Sequence, residues 1–288
     1  ESAIAGVLRC ANNMSTEFAE GHWVERFVEA MRPAVASAGA LARSLEGRVQ
    51  NAPKLEESTA VKQAMTIADA DTQEIVLKAL LEQFPDVCLA AEEDTETVDA
   101  FPKRSRAIVV IDPIDGTLHS YLEASGPYAV IVGLAVSEIY RASLVALPRE
   151  GVMFDATSGQ GAYATVAGRS RRAVQATPDG NRILVSHGMP EEVSEALRQR
   201  DYEVIPACGG AVSVAPLLKG VCAGVRKASG PLGISIRGRV GVLISREGGA
   251  LVQAAGGAEF PVDMQGASET LLVASSPVHL DHLNEALG

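Results

Sequence analysis

Ala107-Ile108-Val109-Val110-Ile111-Asp112-Pro113-Ile114-Asp115-Gly116-Thr117 is the stretch on which the fold turns. Its continuous apolar run has the length of a buried strand, and the run leads straight into Asp112. Pro113 and Gly116 then impose a tight turn, because proline presets φ and glycine accepts backbone conformations closed to other residues. Such a turn brings the Asp112 and Asp115 carboxylates and the Ile114 carbonyl to one side. These are hard oxygen donors of the kind Mg²⁺ prefers. The Gly116 and Thr117 amides are then placed to face an anion. Asp, Pro and Gly are also the residues of a plain turn, so the surroundings decide what the turn is for.

Upstream lies Ala91-Glu92-Glu93-Asp94. Adjacent carboxylates repel, and burying them without a cation is costly; a solvated acidic loop is the plainer alternative. Further upstream, Thr66-Ile67-Ala68-Asp69-Ala70-Asp71 opens a helical pattern through Ile75, Val76, Leu80, Leu81 and Phe84, which Pro85 ends. Asp69 and Asp71 sit at its start, where carboxylates cap free N–H groups and suit the helix dipole. Trp23, Phe27, Met31 and Val35 recur at helical spacing and predict a core-facing helix. Gly47 and Pro53 bracket a polar loop through Ser58.

Downstream, strands are expected over 128–136, 143–147, 151–154 and 161–165, separated by turn residues. After the break at Thr177-Pro178-Asp179-Gly180 the elements alternate: a strand at 183–185, a helix over 191–198, a strand at 202–205, a small-residue helix over 211–223, and an apolar segment over 240–246 stopped by Gly248-Gly249. A strand at 271–274 and a helix over 278–287 close the chain. The expectation is a mixed chain in two parts, α+β over residues 1–178 and α/β over residues 179–288.

The chain has 288 residues, enough for a sizeable core, and 47% of them are hydrophobic. No apolar run reaches the roughly 18–20 residues that cross a bilayer, and the first residues, Glu1-Ser2-Ala3-Ile4, do not resemble a signal peptide. A formal charge of −11 disfavours nucleic acid and anionic membrane as partners. The short basic clusters Lys103-Arg104-Ser105-Arg106 and Arg169-Ser170-Arg171-Arg172 are expected to be solvated loops. Cys10, Cys88, Cys208 and Cys222 form no Cys-x-x-Cys pair, which points to buried thiols and a reducing cytoplasm.

Taken together, Thr66-x-x-Asp69, Glu92-Glu93 and Ile111-Asp112-Pro113-Ile114-Asp115-Gly116-Thr117 resemble the motifs of the inositol monophosphatase family, within the Mg²⁺-dependent, lithium-sensitive phosphomonoesterases. Weaker likenesses are Gly159-Gln160-Gly161-Ala162 and Gly209-Gly210-Ala211 opening a helix. The likeness runs from about Phe27 to the C-terminus. It implies a layered α-β-α-β-α sandwich of the sugar phosphatase type, usually a homodimer, acting on a small phosphorylated metabolite. Glu92, Asp112 and the Ile114 carbonyl would hold one Mg²⁺, with Mn²⁺ a possible substitute, and Asp112 and Asp115 would reach a second. Thr117, paired with Asp69, would orient and deprotonate the attacking water, with Glu92 beside them in the catalytic set. The Gly116 and Thr117 amides would hold the phosphate, with Gly210 and Ala211 on its far side. The first part of the chain would carry the metal motifs and the second would complete the substrate site.

The sequence departs from the family at its second signature, Trp-Asp-x-Ala-Ala-Gly, which precedes a Glu-Ala-Gly-Gly and supplies the last ligand of the second metal. The later part survives as Glu247-Gly248-Gly249-Ala250, but Arg237 stands where the Asp should be, and no acidic residue lies between Gly230 and Arg246. A guanidinium repels a cation there: at 4 Å and an effective dielectric of about 20, each unit pair is worth roughly 4 kcal/mol. Either Arg237 or Arg239 replaces the second metal as a bidentate phosphate donor, or normal catalysis is lost. Arginine at a helix N-terminus is mildly unfavourable, which points to an acidic or phosphate partner for Arg237. Ala228-Ser229-Gly230-Pro231-Leu232-Gly233 also lacks the acid that often contacts substrate hydroxyls in the family. His119 is read as a rim or packing residue, with substrate contact as the alternative. Asp112→Asn is expected to abolish metal-dependent hydrolysis with the fold intact; unchanged turnover beside an unchanged circular dichroism spectrum would contradict this reading.

Overall fold

The expected strand after residue 106 becomes β2 of a seven-stranded sheet in the computed structural model, which describes residues 21–54, 60, 65–166, 169–228, 230 and 232–288. The opening residues with Cys10, the end of the polar loop at Ser58, and Ser229 and Pro231 lie outside the described residues.

Two helices come first. Helix α1 (Gly21–Leu45) buries Phe27, Met31 and Val35. Helix α2 (Ile67–Gln83) starts at a capping box: Thr66 accepts from the Ala68 N–H while Asp69 accepts from the Thr66 N–H.

The first sheet runs in chain order through β1 (Cys88–Ala90), β2 (Ala107–Asp115), β3 (Ala129–Val136), β4 (Ile139–Leu147), β5 (Val152–Thr157), β6 (Ala162–Val166) and β7 (Arg172–Val174). β1 pairs parallel with β2, and every later pair is antiparallel. Residues of the second sheet begin at β8 (Gly180–Ser186), followed by helix α3 (Glu191–Arg198), β9 (Glu203–Ala207), the short helix α4 (Gly209–Ser213) and β10 (Gly220–Lys227). Helix α5 (Val240–Glu247), β11 (Leu251–Gln253), β12 (Thr270–Ala274) and helix α6 (Pro277–Leu287) complete the chain. This sheet has the order β11-β12-β10-β8-β9.

Helices α1 and α2 cover one face of the first sheet, α4 and α5 lie between the sheets, and α3 and α6 cover the outer face of the second. The result is the α-β-α-β-α layering that the family resemblance implies. Strand alternation distributes the core. Val109 and Ile111 of β2 pack on the α1–α2 side, whereas Val110 packs between the sheets. In β8, Ile183 and Val185 face α3 and α6, and Leu184 faces inward.

The helix expected over 211–223 is corrected. It ends at Ser213, passes through a 3₁₀ turn at Ala215–Leu217, and gives way to strand β10. Pro216 cannot continue an α-helix, Gly220 has a left-handed φ of 75°, and Val221 to Val225 is buried on both faces as a central strand between β8 and β12. Small apolar residues with β-branched valines fit either element, and only the neighbouring strands decide. β1, β7 and β11 are too short to leave a periodic signal. The second basic cluster is not simply solvated: Arg171 donates two bonds to the buried Asp155 carboxylate, at 2.9 and 2.6 Å to Oδ1, and lies over the Tyr163 ring.

Phe27 is fully buried, with its ring 5.4 Å from that of Phe84. Phe27→Ala leaves a cavity between α1, α2 and the sheet and is expected to cost about 3–5 kcal/mol of unfolding free energy, measured as a shift in the urea midpoint at constant slope.

Candidate active site

β2 ends in a bulge. Asp112 pairs with Ile131 and Asp115 with Ala129, so β2 carries one more residue than β3 over this interval. Pro113 sits inside the bulge, where its missing N–H breaks no regular ladder bond. Asp112 keeps the inward parity of Val110, while Ile114 is turned into a separate cluster with Ala42, Ala68, Tyr121 and Tyr128. Gly116 follows with φ 91°, and a methyl there would lie 2.7 Å from the Cys208 Cβ. Only glycine meets both conditions. The chain then winds into a π-helical turn, Thr117–Leu122, tied back by the Ser120 and Tyr121 N–H groups to the Gly116 carbonyl. Single π turns recur at functional sites. Tyr121 anchors this one by donating to the Ala42 carbonyl at 2.8 Å, and Arg149 donates to the Ser120 carbonyl at 3.0 Å while pairing with Glu46.

Thr117 Oγ1 lies 3.0 Å from Asp69 Oδ1 and 2.8 Å from the Ile114 carbonyl oxygen, so its single proton has two acceptors. Asp69 is 1% exposed, and its Oδ2 accepts from the Thr66 N–H and hydroxyl, both at 2.7 Å. Burial raises its pKa from 3.8 to about 6, against the lowering effect of the Thr66 and Thr117 hydrogen bonds. The capping residue and the threonine partner are thus the same carboxylate, one oxygen for each task.

Glu92 and Glu93 separate. Glu93 is buried and engaged: Lys54 donates to it at 2.7 Å, and its backbone exchanges bonds with Gln73. Glu92 faces Asp112, and Arg237 reaches both. Its Nη2 lies 3.6 Å from Glu92 Oε1, and its Nε lies 3.6 Å from Asp112 Oδ2. These are ion-pair distances rather than hydrogen bonds. Asp112 is 5% exposed, and its Oδ1 is buried without a hydrogen-bond partner. Burial, then Glu92 and Asp115, push its pKa well above the ordinary carboxylate range, and Arg237 pulls it back. Burial alone would lower the Arg237 pKa, but Glu92, Asp112 and Asp115 outweigh it and raise it.

Asp115 Oδ2 accepts from the Gly210 N–H at 2.5 Å, and the Ala211 N–H points to Cys208 Sγ at 3.3 Å. A methyl on Gly210 would lie 2.7 Å from Ile131 Cδ1 and 2.9 Å from the Ala129 Cβ, so the start of α4 approaches β3 at glycine distance. Arg239 is engaged with the backbone rather than with the carboxylates of the site. It is buried, with Nε on the Ile234 carbonyl and Nη1 on the Asp263 carbonyl. The Gly159 and Gly161 amides grip the Glu247 carboxylate at 2.7 and 2.8 Å, which fixes the end of α5. Cys88, Cys208 and Cys222 are buried, and burial raises the Cys208 pKa well above its usual value. His119 pairs with Glu123 at 2.8 Å, and its ring stacks 4.9 Å from that of His187. His187 in turn shares a 2.9 Å hydrogen bond with Ser120. Sequence reasoning missed Ser120 and His187, because they are distant in the chain and belong to no motif.

The sequence model of the inositol monophosphatase family matches residues 23–287, so the chain belongs to that family. Among solved structures, SuhB from Mycobacterium tuberculosis is 22% identical with a TM-score of 0.64, over 92% of this chain and 96% of that one. The extragenic suppressor protein SuhB from Bartonella henselae is 20% identical with a TM-score of 0.68, over 91% and 98%. An inositol monophosphatase from Thermotoga maritima is 18% identical with a TM-score of 0.67, over 91% and 98%. Likeness at this level shows the shared fold. No curated protein matches the chain significantly. No helix among the described residues is long and apolar enough to cross a membrane.

The family acts on small phosphorylated substrates and in general depends on Mg²⁺. The donors present fit such an ion poorly. The orphaned Asp112 Oδ1 asks for a cation, but Arg237 stands against two of the carboxylates that would bind it. Among the described residues no group of three or more His, Cys, Asp or Glu is arranged to hold a metal.

The raised pKa of Asp69 sets a stability test. Between 3.8 and about 6 the folded state holds more proton than the unfolded one, so this group's contribution to stability is greatest below that window and is lost as pH rises through it. In Asp69→Asn the amide oxygen can accept from Thr66 and the amide nitrogen can donate to Thr117, whose hydroxyl then donates to Ile114. The variant is expected to be more stable than wild type at about pH 7.5 and to lose that advantage near pH 4. Urea midpoints at both pH values measure it; a less stable variant at the higher pH would contradict the raised pKa.

Proposed function

We propose that the chain hydrolyses a small phosphomonoester, such as an inositol phosphate, a sugar phosphate or a phosphonucleotide. The observation that carries this reading is the hydroxyl of Thr117 held on the buried Asp69 carboxylate. A neutral threonine becomes a proton relay only when a carboxylate can accept its proton. Asp69, with its pKa near 6, is ionised at neutral pH and is a stronger base than an exposed carboxylate. Water attacking phosphorus gives a proton to Thr117 Oγ1 as Thr117 gives its own to Asp69. The Ile114 carbonyl then offers the hydroxyl a second acceptor. The phosphorus–ester oxygen bond breaks, and the departing alcohol takes a proton from solvent.

In this reading the Gly116 and Thr117 amides bind the phosphate oxygens. Arg237, whose side chain is 33% exposed, supplies positive charge at the same mouth. Gly210 and Ala211 bound the opposite wall, and Glu92, Asp112, the Ile114 carbonyl and Asp115 form the acidic floor. Arg237 stands among the donors that would otherwise hold a metal ion. The second half of the chain, from residue 179, closes the site with α4 and the Arg237 turn.

The same arginine favours a second reading, a relative that binds a phosphate compound without turning it over. A phosphate-release screen over these ester classes, with Mg²⁺ and Mn²⁺ titrated, separates the two. Wild type is expected to release phosphate, and Thr117→Val and Asp69→Asn to be slower by about 10²–10⁴-fold, the usual contribution of general acid–base catalysis. Calorimetric binding of an ester without release from folded wild type would establish the binder instead.

A further inference from the structure

We infer that the Arg237 guanidinium is a built-in substitute for a divalent cation, neutralising Glu92 and Asp112 so that the acidic site is charge-balanced without metal. Three independent observations meet here. The guanidinium lies 3.6 Å from a carboxylate oxygen of each residue, between two acids that otherwise face one another. Asp112 is almost wholly buried, and one of its oxygens has no hydrogen-bond partner, so the acid depends on a nearby cation for compensation. No acidic residue between Gly230 and Arg246 could bring a further ligand to this side of the site.

The arginine is positioned for this role rather than left to wander. Its 3₁₀ turn, Arg237–Arg239, precedes α5 and is held from both sides. Tyr140 donates to the Ile236 carbonyl at 2.7 Å, and Arg239 is fixed on the Ile234 and Asp263 carbonyls at 3.0 Å each. Lys54 is committed to Glu93, the neighbour of Glu92, at 2.7 Å. A tethered guanidinium differs from a metal ion in two ways. Its local concentration is independent of the medium, and its delocalised charge spreads over several N–H groups instead of concentrating at one point. A divalent ion therefore reaches Glu92 and Asp112 only by displacing Arg237, and the affinity of the native site for metal is low.

The charge balance is independent of whether the site turns over an ester, and binding is read separately from turnover. Calorimetry with Mn²⁺ and thermal unfolding in EDTA or excess Mn²⁺ are applied to wild type, Arg237→Ala, Arg237→Asp and Arg237→Lys. Wild type is expected to bind Mn²⁺ weakly and to unfold at the same temperature with and without it. Arg237→Ala is expected to unfold at a lower temperature in EDTA and to be rescued by Mn²⁺, with binding at least about tenfold tighter than wild type. Arg237→Asp should bind more tightly still, and Arg237→Lys should stay indifferent to metal because the charge is kept. An arginine that served only for packing would leave the alanine variant destabilised equally with and without Mn²⁺, which overturns the inference. Binding by wild type as tight as by Arg237→Ala overturns it too. Should the alanine variant not fold even with Mn²⁺, Arg237→Asp in the same assays decides the outcome.

Discussion

The bulge that ends β2 against β3 is the constraint from which the site follows. Asp112 faces the inter-sheet layer by regular strand alternation, and one extra residue between the Asp112–Ile131 and Asp115–Ala129 pairs puts Ile114 into an apolar cluster with α1 and α2 and leaves Asp115 pointing at the next element. Asp115 uses that direction to accept the Gly210 N–H, a bond from the first sheet to the helix that starts the inner layer. Gly116 then takes the left-handed turn that the bulge requires, and the π turn beyond it is clamped by Tyr121 and Arg149. Remove the bulge and strand alternation would re-aim the Asp115 carboxylate.

The end of β2 also carries an electrostatic problem. Asp112 is nearly dry beside Glu92 and Asp115. The effective penalty for burying a carboxylate is several kcal/mol. A guanidinium at 3.6 Å from Glu92 and from Asp112 returns about 5 kcal/mol per pair at an effective dielectric near 20. The two quantities are comparable, so Arg237 offsets the burial without abolishing it, and the Asp112 pKa stays above the ordinary carboxylate range. The family in general depends on Mg²⁺; in this chain a guanidinium lies against both carboxylates.

A second polar group borders the turn and has no counterpart in the motif. Ser120 on the π turn meets His187 beyond β8, and His187 stacks with His119. Burial lowers the His187 pKa, and the neighbouring His119 lowers it further. The pairing turns His119 from an isolated rim residue into part of a small cluster that joins the two sheets at the edge of the site.

Chain chemistry alone determined the local pieces. An apolar strand running into Asp-Pro-Ile-Asp-Gly-Thr had to turn where it does. Thr66 and Asp69 had to cap the helix they open, and a chain without an acid between Gly230 and Arg246 could not complete the usual signature. Each depends on backbone preferences or on residues a few positions apart. Tertiary structure decided the rest. It gave the Asp69 capping carboxylate a second oxygen free for Thr117, separated Glu92 from the Lys54-bound Glu93, and made a strand of Gly220–Lys227 by placing partners on both sides. It also sent Arg237 to Glu92 and Asp112 and buried Arg239 on backbone carbonyls, although the two arginines look alike in sequence. The reason is physical: a charge finds its partner by distance in space and by the local dielectric, and neither is written in the order of residues along the chain.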